Sequence, residues 1–161
     1  MREEQGSAKV ELVLGSGVYF MSRGLVEEID SISHIFMGGA ESTDKQNRVE
    51  NVSWWDLEQP THKEFELFFK NLEEQKPDTV VAHELPLRIE IRRTRRNQSY
   101  TPQMLENALK LSDYQPRYWM AGHHHILEKW KIKKTKYFCC GLHGDFWLRD
   151  DIHGGWTKSE K

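Results

Sequence analysis

The chain has 161 residues, enough for one domain with a real core, and it carries 23 Lys plus Arg against 25 Asp plus Glu, a net charge of -2 at pH 7. That balance excludes a global attraction to nucleic acid or to an anionic membrane, so any such binding must be local. No apolar run reaches the length of a membrane span or a signal-peptide core, and the only two cysteines, Cys139 and Cys140, are adjacent, which suits a reducing compartment; the expectation is a cytoplasmic protein with no membrane partner.

After a polar start that reads as disordered, Val10–Leu14 and Val18–Met21 flank Gly15-Ser16-Gly17, which is the pattern of a hairpin. Leu25–Ile29 and Ile32–Met37 continue as two further strands, so the first forty residues read as a β meander without a helix. From Gly38 to Pro60 the periodicity stops. A segment of that length reads as an ordered loop held by Trp54 and Trp55, which are expected in the core rather than as a base-stacking platform, because no basic stripe accompanies them.

Thr61-His62-Lys63-Glu64 is a capping box, and Phe65, Phe68, Phe69 and Leu72 recur behind it at helical spacing, so a helix is expected from there to about Gln75, ended by Pro77. Thr79–Ala82 then reads as a short buried parallel strand leading into His83-Glu84-Leu85-Pro86. The grammar repeats. Ile89–Asn97 carries Arg92, Arg93, Arg95 and Arg96, Thr101-Pro102 opens a second helix with Met104, Leu105, Ala108 and Leu109 on one face, and Pro116 precedes the strand Arg117–Ala121 and the run Gly122-His123-His124-His125. Ligands of an open α/β sheet bind outside the carboxyl ends of its strands, so His83 and the His123–His125 loop are expected at one edge.

Three consecutive imidazoles there point to metal, with His123 and His125 converging while His124 points away and Gly122 allows a sharp turn; the bland alternative is a solvated His-rich turn. The arginine cluster is read either as a solvated loop face or as a phosphate-binding rim near the histidines. His34, His62 and His143 are read as structural or surface residues. Ile126–Lys136 alternates apolar with basic residues and Tyr137–Cys140 is apolar, which predicts antiparallel edge strands.

In this order, these blocks resemble the C-terminal half of the calcineurin-like metallophosphoesterases, two-metal enzymes with a four-layer α/β sandwich. The match runs from about Val18 to Gly141. His83 after its strand is similar to the family's lone histidine on the second metal, and His123 and His125 are similar to its Gly-His-x-His pair, the first on the second metal and the other on the first. Gly38-Gly39-Ala40 with Ser42, Asp44, Lys45 and Arg48, then Trp54-Trp55 and Glu58-Gln59, is similar to the connecting loop of bacterial and phage members.

The resemblance implies an α/β fold, as the mixed-sheet half of a metallophosphoesterase-type α/β sandwich with an N-terminal β meander, in one domain over 1–161. It implies phosphoester hydrolysis by metal-activated water, with divalent Mn, Zn, Fe or Ni as cofactor and His83, His123 and His125 as ligands. The family's Asp-x-His, Gly-Asp-x-x-Asp and Gly-Asn-His blocks, which supply the bridging carboxylate and the acid, are not found ahead of Val18. Three histidines do not hold two ions roughly 3.5–4 Å apart, so the chain reads as half a site, completed by a second chain or in a homodimer. Asp151-Ile152-His153 has the Asp-x-His form and Gly144-Asp145 begins like the next block, but Leu148 stands where the second aspartate belongs and the order is wrong, so the two read as ordinary surface loops, with a circularly permuted site as the alternative. Two other classes stay open: an inactive truncated member that binds a partner, and a nucleic-acid-binding protein using Arg92–Arg96.

Overall fold

The structure is a computed structural model that describes residues 8–42, 44–91 and 99–141, together with the backbone of the short strands Phe146–Trp147 and Thr157–Lys158. It is a mixed α/β fold. The strands are β1 (Lys9–Glu11), β2 (Tyr19–Met21), β3 (Val26–Ile29), β4 (Ile32–Met37), β5 (Thr79–Ala82), β6 (Tyr118–Ala121), β7 (Glu128–Ile132), β8 (Thr135–Cys139), β9 (Phe146–Trp147) and β10 (Thr157–Lys158), with helices α1 (His62–Gln75) and α2 (Tyr100–Leu111). Six of them form one sheet in the order β3-β4-β5-β6-β8-β7, in which β4, β5, β6 and β8 run parallel and β3 and β7 are antiparallel edges. No helix among the described residues is long and apolar enough to cross a membrane.

Strand alternation decides which side chains meet the helices. Ile35, Val80, Trp119 and Tyr137 project to the helical side, where they join Phe65, Phe68, Leu72, Leu105 and Leu109 in one core. Phe68 is fully buried and meets the Trp119 ring edge-on at a centroid distance of 6.4 Å. Such a residue contributes about 1.5–3 kcal/mol by burial alone.

Helix α1 begins where its capping box says it should. Thr61 Oγ1 accepts from the Glu64 amide at 3.3 Å, and the Thr61 amide donates to Glu64 Oε2 at 2.6 Å. Burial alone would raise the Glu64 carboxyl, but these bonds and the Arg23 guanidinium outweigh it and hold its pKa below the ordinary 4.5. A carboxyl depressed in the folded state adds stability that is present above its unfolded pKa and is lost as pH falls through the folded value. The stability gap between the wild type and Glu64→Gln is therefore expected to narrow between about pH 7 and pH 3.5 in urea titrations. A gap that stays constant over that range would contradict the assignment.

Three expectations need correction. The meander is two separate hairpins: β1 pairs only with β2, while β3 pairs with β4 inside the main sheet. Between them Gly24, at φ +81, packs so closely on α1 that an added Cβ would lie 2.9 Å from the Leu67 side chain, and the chain changes direction there. Strand β8 is not an edge, because it lies between β6 and β7 with Tyr137, Phe138 and Cys139 buried. Trp55 is 45 % exposed and Trp54 half-buried under Lys45, whose Nζ sits 3.9 Å from the ring centroid, so neither tryptophan belongs to the core.

Candidate metal centre

Strands β4, β5 and β6 end together, and their hydrogen bonding continues past the last strand residues. The His83 amide donates to Met37 O and the Gly122 amide to His83 O, both at 3.1 Å. This stapling brings the two histidine blocks side by side, with His83 Nε2 3.2 Å from His123 Nδ1 and ring centroids 5.0 Å apart. The expected common edge is therefore observed, across forty residues of sequence.

Within the loop, His124 turns inward and donates from Nε2 to Glu84 Oε1 at 2.6 Å, while His123 and His125 both line the cleft above the strand ends. The sharp turn is not made by Gly122, which does not adopt a left-handed conformation. His123 at φ 62 and His125 at φ 53 adopt it instead. A side chain in that region carries strain of order 1–3 kcal/mol, which persists only where surrounding contacts hold it.

Glu84 is the residue that sequence reasoning missed. The residue is 3 % exposed, and its carboxylate accepts from the Leu85 amide at 2.7 Å and from His124 and places Oε2 3.8 Å from His123 Nε2. The Trp119 indole N–H donates to the Glu84 carbonyl at 3.2 Å, which fixes the residue to β6. The one signal available was its place directly after His83 in the same block. Burial, opposed by Glu84 and reinforced by the neighbouring histidines, pushes the His83 imidazole below its ordinary value and that of His123 down to about 4. His123 is thus neutral at pH 7, the form that ligates a metal.

The donor pair fits an ion. Two ligands at 2.0–2.1 Å around a tetrahedral centre lie roughly 3.3 Å apart, close to the observed nitrogen separation. The Glu84 carboxylate, hydrogen-bonded to His124 and the Leu85 amide, places a negative charge 3.8 Å from His123 Nε2 without a hydrogen bond to it. A direct imidazole–imidazole hydrogen bond has the same length, so the geometry alone serves either state. Among the described residues, no group of three or more His, Cys, Asp or Glu is gathered to hold one ion. His83 and His123 form the pair, and His125 shares the cleft with them.

The cleft, of about 530 Å³, has the loop 38–60 as its other wall, contributing Ser42, Asp44, Arg48 and Glu58. That loop is held by Arg23 rather than by its tryptophans. The Arg23 guanidinium donates to Gly38 O at 2.7 Å, to Leu57 O at 2.8 Å and to the Glu64 carboxylate at 3.2 Å, tying both loop ends to α1. Gly39 passes so near this knot, at φ +99, that a Cβ would lie 2.3 Å from Glu58 O. Arg48 is positioned by Asp44 at 2.7 Å and by Ser53 O at 3.0 Å, and the Ser42 hydroxyl donates to Glu58. Arg92, Arg93, Arg95 and Arg96, the pair Asp151 and His153, and His143 lie outside the described residues.

Neither a family model nor a curated protein matches the chain.

Proposed function

We propose that the chain carries part of a metal-dependent phosphoesterase site, in which His83 and His123 hold one divalent ion (Mn, Zn, Fe or Ni) at the carboxyl edge of the sheet and His125 reaches a second. The observation that carries this reading is the 3.2 Å approach of His83 Nε2 to His123 Nδ1 at the ends of adjacent parallel strands, with the buried Glu84 carboxylate near His123. Strand-end histidines with a carboxylate near them are a ligand arrangement that packing does not require. An ion bound there supplies Lewis-acid polarisation of a phosphoryl oxygen and activation of water.

The chain's own residues then have distinct tasks. Glu84 keeps His124 out of the cleft and places its negative charge near His123. Arg48, whose guanidinium retains N–H groups beyond those given to Asp44 and Ser53, offers them to the phosphoryl oxygens. On the side of the sheet opposite the helices, Phe36, Val81, Met120 and Phe138 lie in register as one apolar row across the four parallel strands, which supports a second sheet layer packed over those strands as in an α/β sandwich; the row ends at Lys129 on the edge strand β7, which that layer leaves open. That layer supplies the carboxylate and the acid that these residues lack.

The purified chain with Mn is expected to hydrolyse bis(p-nitrophenyl) phosphate at no more than a trace rate. Co-expression with a polypeptide carrying the Asp-x-His, Gly-Asp-x-x-Asp and Gly-Asn-His blocks is expected to restore turnover, which His123→Ala then removes. Silence under both conditions would reject the hydrolytic reading. Robust turnover by the chain alone, lost in His123→Ala, would reject only its being half a site.

A further inference from the structure

The β7–β8 hairpin carries Lys129, Lys131, Lys133, Lys134 and Lys136 within eight residues, and the sole acidic side chain between Ile126 and Gly141 is Glu128. Lys129, Lys131, Lys133 and Lys134 are exposed, and among the described residues no carboxylate pairs with them. Lys131 lies directly across the ladder from Lys136, and like charges in that position destabilise a strand pair. Lys136 packs its ammonium over the Tyr118 ring at 5.8 Å. A sheet edge needs only an occasional lysine to discourage pairing, so the four exposed lysines Lys129, Lys131, Lys133 and Lys134 are an excess that edge protection leaves unexplained.

We infer that this edge is a binding track for the phosphate backbone of a single nucleic-acid strand. Alternate residues of an extended strand are roughly 6.6 Å apart, so Lys129 and Lys131 form a regular row of cations suited to successive phosphates. The row runs toward the candidate centre, because Glu128 pairs with Cys139 at the carboxyl end of β8, beside the histidine loop. A lipid surface fits less well. Trp130 and Ile132, the large apolar residues of β7, are half-buried against the core and offer no anchor to a bilayer. A chain of net charge -2 would otherwise repel nucleic acid, so the binding rests on this local patch. As an assignment of substrate class, a nucleic-acid phosphodiester, the inference rests on the hydrolytic reading above; as a binding surface it does not.

The test is fluorescence anisotropy of a labelled 20-nucleotide single-stranded DNA titrated with the metal-free full chain over a series of salt concentrations. Binding is expected to weaken linearly in log K against log salt, and Lys129→Gln/Lys131→Gln is expected to reduce the slope by about 1.4, or 0.7 per lost phosphate contact. Lys70→Gln/Lys76→Gln, which removes the same charge from the helical layer, is expected to leave the slope unchanged. Circular dichroism checks that each variant is folded, and Lys133→Gln/Lys134→Gln in the turn serves as a second track variant. No DNA binding at 50 mM salt, an equal loss in the helical-layer variant, or binding to phosphatidylserine vesicles but not to DNA would overturn the inference. DNA binding that follows the track, together with silence of the chain both alone and co-expressed with the three missing blocks, would uphold the surface while rejecting the enzyme.

Discussion

Replacing Glu106 by alanine is expected to cost the fold about 3–5 kcal/mol, a large part of the 5–15 kcal/mol by which such a domain is stable. Glu106 is 8 % exposed at its side chain and Arg88 is 14 % exposed. The Arg88 guanidinium donates to both carboxylate oxygens, at 2.9 and 3.3 Å, and the Arg88 amide adds a third bond at 2.9 Å. Removing the carboxylate leaves a guanidinium and an amide without their partner in a poorly hydrated place, which is where the cost arises. This pair also ties the segment after His83 to α2. Urea unfolding of Glu106→Ala measures the effect. A double Arg88→Met/Glu106→Leu variant is expected to be more stable than the single one, because no charge is then left buried. A loss below about 1 kcal/mol in Glu106→Ala would show that the pair is solvated.

Glu84→Ala is expected to act on stability and ion binding together. The substitution strips a partner from the buried His124 ring and from the Leu85 amide, at about 1–3 kcal/mol for each group left unsatisfied. It also removes the negative charge 3.8 Å from His123 Nε2 and frees the His124 ring beside it, so ion affinity is expected to fall as well. Glu84→Gln keeps an acceptor for His124 and should recover most of the stability but little of the affinity. The two readouts separate the roles, since a residue that only fills space would move stability alone. Unchanged ion affinity in Glu84→Ala would show that Glu84 serves packing rather than the centre.

What the sequence disclosed was mostly local. The Thr61 capping box and the phenylalanine spacing place α1, because a helix start is decided within four residues. The paired units of helix, proline, apolar strand and histidine place His83 beside His123, because parallel strands of one sheet share a carboxyl edge. Long-range polar contacts were not legible. Arg23 reaches carbonyls and a carboxylate up to 41 residues away, and no local pattern marks an arginine for that task. Glu84 looks like a surface residue until the turn after β5 is seen to lie against the histidine loop. The interior place of β8 was legible in principle, since the continuous apolar run Tyr137–Cys140 is that of a strand covered on both sides while the lysine alternation of β7 is that of an edge. The tryptophans misled because aromatic content alone does not distinguish a core residue from one capped by a lysine on the surface.

Calorimetric titration of the purified chain with Mn and with Zn tests the central claim most directly. Imidazoles without a bridging carboxylate leave much of the coordination to water and add no negative charge, so one loose site is expected rather than two tight ones. That site should disappear in both His83→Ala and His123→Ala, while His62→Ala, on the exposed face of α1, leaves it intact. No heat of binding with any of the expected ions, or binding that survives both strand-end substitutions, would contradict the assignment of His83 and His123 as ligands.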